Sequence, residues 1–220
     1  MIEGHKIINE FKKNGYFIPE IYCTHQNYNL YESFLDSDLF TTNVNTLERF
    51  SAFKSREDVI ALVDFKQDLP VFNSKTNSIW LDNISDPGNL GAIMRIAAWY
   101  GIKQLVLSPN TVDEFNPKVI AASMGAVSSL SIIRQDLIEI AEKCDQCIYA
   151  CVLDGSSVYE IKEKKAVVKH IVIGSESHGI NAQLLERNNV KKIAIPKRGD
   201  FDSLNAAVAS GIIIDRLLTS

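Results

Sequence analysis

The chain has 220 residues, 46% of them apolar and 23% charged, with 11 glycines and 6 prolines. That length suits one large domain or two small ones with a sizeable core, and the composition excludes collagenous, disordered and disulfide-scaffold classes. The net charge is −4; residues 1–77 hold 8 basic against 11 acidic side chains, leaving 15 against 16 for 78–220. Neither part is basic overall, so any contact with nucleic acid must be a local patch.

No apolar run approaches the roughly 18 residues of a spanning helix. The start, Met1-Ile2-Glu3-Gly4-His5-Lys6, lacks the basic and then apolar stretch of a secretory leader. The expectation is a soluble, cytoplasmic protein with no membrane partner.

Ile7, Ile8 and Phe11 sit at helical spacing before Gly15, which reads as a C-terminal stop. Residues 18–24 read as a strand, 28–35 as a helix, 39–44 as a strand, 46–53 as a helix and 59–63 as a buried strand. Residues 1–65 thus make a small α/β unit. Residues 66–78 are polar, contain Pro70 and show no period, so they read as a linker.

From residue 79 onward the alternation strengthens. Strands are expected at 79–81, 104–108, 130–134, 147–153, 170–175 and 192–196, and helices at 90–100, 117–124, 136–143, 181–188 and 204–218. Apolar strands separated by helices imply a parallel sheet with helices on both faces. Ligands bind such sheets beyond the carboxyl ends of the strands, so the loops after strands are where chemistry is sought.

The cysteines are Cys23, Cys144, Cys147 and Cys151. Cys144 and Cys147 have redox or half-zinc spacing, but no second pair completes a metal site. Cys147 and Cys151 fall on one face of the expected strand and read as small buried hydrophobes. No metal and no disulfide are expected. The richest basic cluster runs from Arg187 to Arg198 and includes Lys191, Lys192 and Lys197; a solvated face and an RNA contact explain it equally well.

Three loops stand out. In Asp86-Pro87-Gly88-Asn89-Leu90-Gly91, Pro87-Gly88 makes a turn and Asn89 is placed to cap the following helix, with Arg95 on roughly the same side. In Ile173-Gly174-Ser175-Glu176-Ser177-His178-Gly179, two glycines would let the backbone approach a ligand closely. Ser177-His178-Gly179 brushes against a hydrolase elbow, yet Ser175 stands at its first glycine position and nothing identifies a triad. In the third loop, 195–205, Ser203 is a natural cap for a helix rich in small residues.

Taken together and in order, Asp86-Pro87-Gly88-Asn89-Leu90-Gly91-Ala92-Ile93-x-Arg95, Ile173-Gly174-x-Glu176-x-x-Gly179 and Ile195-Pro196-x-x-Gly199-x-x-x-Ser203-Leu204-Asn205 resemble the three motifs of the SpoU/TrmH group of SPOUT RNA methyltransferases. The resemblance covers residues 79–218. It extends more weakly to 1–65, where Ile2-Glu3-Gly4-His5-Lys6-Ile7-Ile8 is similar to the start of the ribosomal-protein-L30e-like substrate-binding domain often fused in front.

The resemblance implies an α/β domain with a deep trefoil knot at 79–220, a homodimer, and transfer of a methyl group from S-adenosylmethionine to a ribose 2′-oxygen of RNA, ribosomal RNA before transfer RNA. The sulfonium leaving group makes the methyl electrophilic without a metal. By position, Gly174, Ile195, Pro196, Gly199 and Leu204 contact the cofactor. Arg95 either activates the hydroxyl or holds the adjacent phosphate and steadies developing negative charge. Asn89, Ser203 and Asn205 orient Arg95 and the ribose. Glu176 anchors its loop or pairs with Arg95, and Arg95, Lys197 and Arg198 meet RNA. Two rivals stand beside this: a non-catalytic RNA-binding module on the same fold, and a Rossmann oxidoreductase, for which Asp113 is a weak ribose-binding acid.

Overall fold

In the computed structural model, residues 1–34, 36–53, 58–64, 70–161 and 167–219 are described. The chain builds two sheets. The first holds β1 (Ile2–Glu3), β2 (Glu20–Thr24), β3 (Asp38–Thr42) and β4 (Val59–Leu62) in the order β1-β4-β2-β3. β4 runs antiparallel to β1 and β2, and β3 parallel to β2.

Three helices, α1 (His5–Lys13), α2 (Tyr28–Tyr31) and α3 (Val44–Phe50), join these strands. α1 buries Ile7, Ile8 and Phe11 on one face, as the spacing requires. The helix expected at 28–35 shrinks to one turn, because Phe34 N–H bonds back to Tyr31 C=O at 2.9 Å. That tighter turn keeps Phe34 edge-on to the buried Tyr31, with ring centroids 5.5 Å apart.

The second sheet holds β5 (Ser78–Asp82), β6 (Gln104–Leu107), β7 (Ser131–Arg134), β8 (Ile148–Ser157), β9 (His170–Gly174) and β10 (Val190–Ala194). Every pair is parallel, and the order is β10-β8-β9-β5-β6-β7. Its helices are α4 (Pro87–Trp99), α5 (Pro117–Ser123), α6 (Leu137–Glu142), α7 (Ala182–Leu185) and α8 (Ala206–Thr219). They cover both faces. Ile79 and Leu81 join one core with residues of α4, α5 and α8, while Trp80 points into a second with residues of α6 and α7.

β8 runs four residues past its expected end because the register with β10 shifts between Lys192 and Ile193. Gly155 permits this: a Cβ there would lie 2.5–2.7 Å from the Ile193 backbone. β10 ends at Ala194, two residues before Pro196, whose nitrogen has no hydrogen to donate. Of the cysteines, Cys23 and Cys144 are buried, whereas Cys147 precedes β8 and is, like Cys151, only half-buried. Among the described residues no helix is long and apolar enough to cross a membrane.

Residues 66–69 of the expected linker lie outside the described residues. The rest of it, 70–77, is fastened to the second sheet, and Ser78 already belongs to β5. Asn73 and Gln104 exchange two hydrogen bonds of 2.8 and 3.2 Å, and Phe72 packs edge-on to Trp80. The first sheet is docked directly as well. Asn14 Nδ2 donates to Ser128 Oγ at 2.9 Å, and Ile7, Ile8 and Phe11 share one core with Ile120 and Val127.

A closed polar network lies at the amino ends of β5 and β9. The Ser74 carbonyl can only accept, so His170 Nε2 donates to it at 3.2 Å, and Nδ1 accepts from Ser78 Oγ at 2.7 Å. Trp80 Nε1 donates to the same Oγ at 2.7 Å. His170 is fully buried, and that burial lowers its pKa from 6.5 to about 4. An imidazole held neutral stabilises the fold above its unfolded pKa and loses that contribution as pH falls from about 6.5 toward 4. Stability at pH 5 should therefore drop by about 2 kcal/mol through this group alone. Urea unfolding midpoints of the native chain and of His170→Gln across pH 4.5–7.5 check this, and equal slopes would remove His170 as the cause.

Candidate active site

β5 and β9 are neighbours, and the chain order reverses between them: β6 and β7 lie to one side of the pair, β8 and β10 to the other. A crevice opens beyond the strand ends at such a reversal. The loops after β5 and β9 meet there, and the segment between β10 and α8 joins them.

After β5 the chain turns into α4, and Asp86 caps that helix. Its Oδ1 accepts the Asn89 N–H at 2.7 Å, with Pro87 at the first helical position. This corrects the expectation that Asn89 is the cap. Relieved of that task, the Asn89 side chain is free to reach across the crevice. Gly91 lets α4 lie against α5, since a Cβ there would sit 2.5 Å from Ala122 Cβ and 2.7 Å from Val119 O. Arg95, further along α4, is exposed and has no hydrogen-bond or ion-pair partner among the described residues.

After β9 the loop folds tightly on itself. Gly179 N–H bonds to Ser175 C=O at 2.9 Å, and Gly179 takes φ +66°. A Cβ on Gly174 would stand 2.2 Å from Gly179 C and O. The close approach expected between these glycines and a ligand is therefore first an approach between the two ends of their own loop. Ser177 Oγ and His178 Nδ1 lie 2.8 Å apart, but both are exposed, and no described carboxylate continues the pair into a triad.

The last helix begins at Ala206, and its cap is Asn205, not Ser203. Asn205 Oδ1 accepts the N–H groups of Ala207 and Val208 at 3.0 and 3.3 Å. Ser203 is exposed and bonds to no described residue. From 197 to 204 the loop is exposed, and its main-chain groups bond to no other described residue. Pro196 is exposed too, Ile195 is half-buried, and Gly199 has open space where a side chain would stand.

Glu176 draws the three loops together. Its Oε1 accepts the Ala206 N–H at 3.1 Å and the side-chain amides of Asn89 and Asn205 at 3.3 Å each. Asn205 Nδ2 also donates to Asn89 Oδ1 at 2.7 Å. A carboxylate at the first N–H groups of a helix meets the positive end of the helix dipole. Glu176 thus bonds its loop to α8 and Asn89; it makes no pair with Arg95, which has no acidic partner among the described residues.

Two residues to which the sequence reading gave no role hold this arrangement. Asp86 carried a readable signal, an acid directly before a proline that opens a helix. The other, Asp82 at the end of β5, is 4% exposed and looks in sequence like any strand-terminal acid. The basic cluster is dispersed: Lys191 and Lys192 are exposed on the edge strand β10, while Arg187 turns inward to the Ala141 carbonyl at 3.4 Å.

Comparison with known proteins fits this geometry. The SpoU rRNA Methylase family profile matches residues 76–215. The 23S rRNA (guanosine(2553)-2'-O)-methyltransferase RlmP of Bacillus subtilis is 26% identical over 227 residues, spanning 99% of this chain and 87% of that protein. A TrmH-family protein from Porphyromonas gingivalis superposes with a TM-score of 0.85 at 26% identity, covering 98% of this chain and 88% of the other. An AdoMet-bound rRNA methyltransferase from Sinorhizobium meliloti shares the fold with a TM-score of 0.83 at 23% identity, over 98% and 85% of the two chains. Matched by its family profile across the whole second sheet, this chain belongs to the SpoU rRNA methylase family and is an S-adenosylmethionine-dependent RNA methyltransferase.

Proposed function

We propose that the protein methylates a ribose 2′-oxygen of ribosomal RNA, with Arg95 as the group that acts on the ribose. The observation that carries this reading is the contrast between Glu176, satisfied by Asn89, Asn205 and Ala206, and Arg95, exposed and without a partner among the described residues, further along the helix that carries Asn89. Guanidinium stays protonated at neutral pH, so Arg95 serves as a charged clamp on the phosphate and on negative charge developing at oxygen. Asn89 and Asn205 fix the site's shape by bonding each other. Lys197 and Arg198, exposed on the loop after β10, are the further phosphate contacts.

The residues present suit the cofactor. Ile195 and Leu204 offer apolar walls, and the exposed main chain of 197–204 offers donors and acceptors of the kind that adenosine and amino-acid groups need. When bound, S-adenosylmethionine supplies a methyl group on a positively charged sulfur. We assign its binding to Gly174, Ile195, Pro196, Gly199 and Leu204. Leu204→Trp should then fill the site and raise the cofactor's dissociation constant at least about tenfold, near 1.4 kcal/mol, with folding intact. Calorimetry checks this, and unchanged affinity would move the cofactor away from Leu204.

Residues 1–65 are assigned to RNA binding, as an L30e-like domain in front of the methyltransferase domain. The trefoil knot belongs to the same reading. So does a homodimer: Trp99 on α4, Phe201 in the loop and Val208 on α8 are 85%, 88% and 53% exposed, and a second copy covering them would remove this apolar area from water. Sedimentation at micromolar concentration tests the pairing. With ribosomal RNA as substrate, the protein works in the cytoplasm.

The relative's name points to large-subunit ribosomal RNA. Tritiated S-adenosylmethionine incubated with ribosomal and transfer RNA, each purified from cells lacking the gene, tests the substrate. Label in a ribose of ribosomal RNA is expected. Label confined to transfer RNA would overturn that choice, and no label in either would move the substrate to another RNA.

A further inference from the structure

We infer that Asp82 is a positioning residue for methyl transfer: it clasps both ends of loop 175–181 and so sets where Glu176 holds Asn89 and the start of α8. The inference rests on the reading of the Glu176 cluster as the active site.

Asp82 closes β5 and uses three separate acceptors. Its main-chain oxygen accepts the Ser175 N–H at 3.0 Å, which fixes the loop's first residue. Its Oδ2 accepts the Asn181 N–H at 2.8 Å, which fixes the last. Its Oδ1 accepts from Asn83 Nδ2 at 2.7 Å, which sets the rotation of the carboxylate. Between the two feet the loop closes on itself through Ser175, whose Oγ accepts the His178 N–H at 3.2 Å. Glu176 therefore projects from a turn with both ends on one residue.

The clasp is itself braced. Asn83 takes φ +55°, and its N–H donates to Ser108 Oγ at 2.9 Å. Ser108 Oγ lies 3.1 Å from Thr111 Oγ1, which donates to the Leu81 carbonyl at 3.2 Å. The loops after β5, β6 and β9 thus form one unit at the carboxyl edge of the sheet.

Both carboxylate oxygens face N–H donors. The Asn181 donor is main chain and cannot turn, whereas the Asn83 amide can reverse end for end, so the clasp requires an acceptor toward Asn181 and a second polar atom toward Asn83. Burial pushes the Asp82 pKa up, the Asn181 N–H works against this, and the Asp136 charge adds to the rise. A buried charge is costly to keep, and an apolar residue could end the strand as well. What the carboxylate adds is a fixed relation between loop and helix.

The matching of donors and acceptors gives the test. Asp82→Ala removes both side-chain acceptors. The rate of tritium transfer from S-adenosylmethionine to bulk ribosomal RNA, taken from cells lacking the gene, should fall roughly 100-fold, the usual consequence of misplacing a catalytic constellation by about 1 Å. In Asp82→Asn the amide oxygen accepts the Asn181 N–H and the amide hydrogens meet the reversed Asn83 amide. Asp82→Asn should therefore recover at least tenfold of the rate lost in Asp82→Ala, which a requirement for the buried charge itself would not allow.

A native rate in Asp82→Ala, or a cooperatively melting Asp82→Asn no faster than Asp82→Ala, overturns the inference. Should Asp82→Ala fail to fold, Asn83→Gly accepts the left-handed backbone at position 83 and removes the side chain that orients the carboxylate. Its rate should fall at least fivefold, and a native rate there also overturns the inference. Arg95→Ala run in parallel separates the two readings: if it retains activity the site assignment fails, whatever Asp82 does.

Discussion

Arg95→Ala is expected to abolish most methyl transfer while leaving affinity for S-adenosylmethionine nearly unchanged. The reason is geometric. Arg95 has no partner among the described residues, so removing it breaks no bond that holds the fold. Loss of a charged contact directed at the transition state costs about 2.7–4 kcal/mol, on the order of 100- to 1000-fold in rate. Arg95→Lys should rescue little, because an ammonium lacks the planar fork that meets two oxygens at once. A solvated helix arginine without a role would change stability by less than about 0.5 kcal/mol and leave turnover alone. Single-turnover rates with cofactor binding measured on the same preparations decide between these. Near-native transfer by a well-folded Arg95→Ala removes Arg95 from the mechanism.

Gly174→Ala should be the most damaging small substitution in the loop after β9. The added methyl group would stand 2.2 Å from Gly179 C and O and 2.6 Å from Ile180 N, all main-chain atoms that no rotamer change can move aside. Overpacking of this kind commonly costs about 1–3 kcal/mol and more when backbone must shift, so about 3 kcal/mol is expected, with loss of cofactor binding. Gly199→Ala supplies the contrast. Nothing lies within 4 Å of its Cβ position, so stability should hold. Urea midpoints for the two variants test the pair. A Gly174→Ala protein as stable as the native chain would mean that the loop yields freely.

The three loops were legible in the sequence because each follows a strand and carries a turn-forming glycine, features that depend only on neighbours along the chain. The caps were not. Asp86 and Asn89, like Ser203 and Asn205, are all good capping types within three residues of one another. Which one caps depends on where the helix starts, and that depends on packing. At α8 the start shifts to Ala206 because Glu176, 30 residues away, already accepts that N–H. Asp82 escaped notice for a similar reason: its partner Asn181 lies 99 residues on.

Local periodicity was enough to determine that the second half of the chain alternates strand and helix, since burial on both faces of a parallel sheet demands continuous apolar strands. It was also enough to place Glu176 in a loop at a strand end, and Asn89 and Asn205 at the starts of helices that follow two other strands. Only the tertiary structure decided that these loops meet, because strand order is set by long-range pairing: β5 lies between β6 and β9, and Asp82 stands beside Gly174 across 92 residues of chain. The apparent linker shows the same limit. Polar and aperiodic in sequence, residues 70–77 are pinned by Gln104, His170 and Trp80. Likewise α1 joins the core of the methyltransferase domain at Ile120 and Val127, because its buried face had to find an apolar partner and the second sheet's helices supplied one.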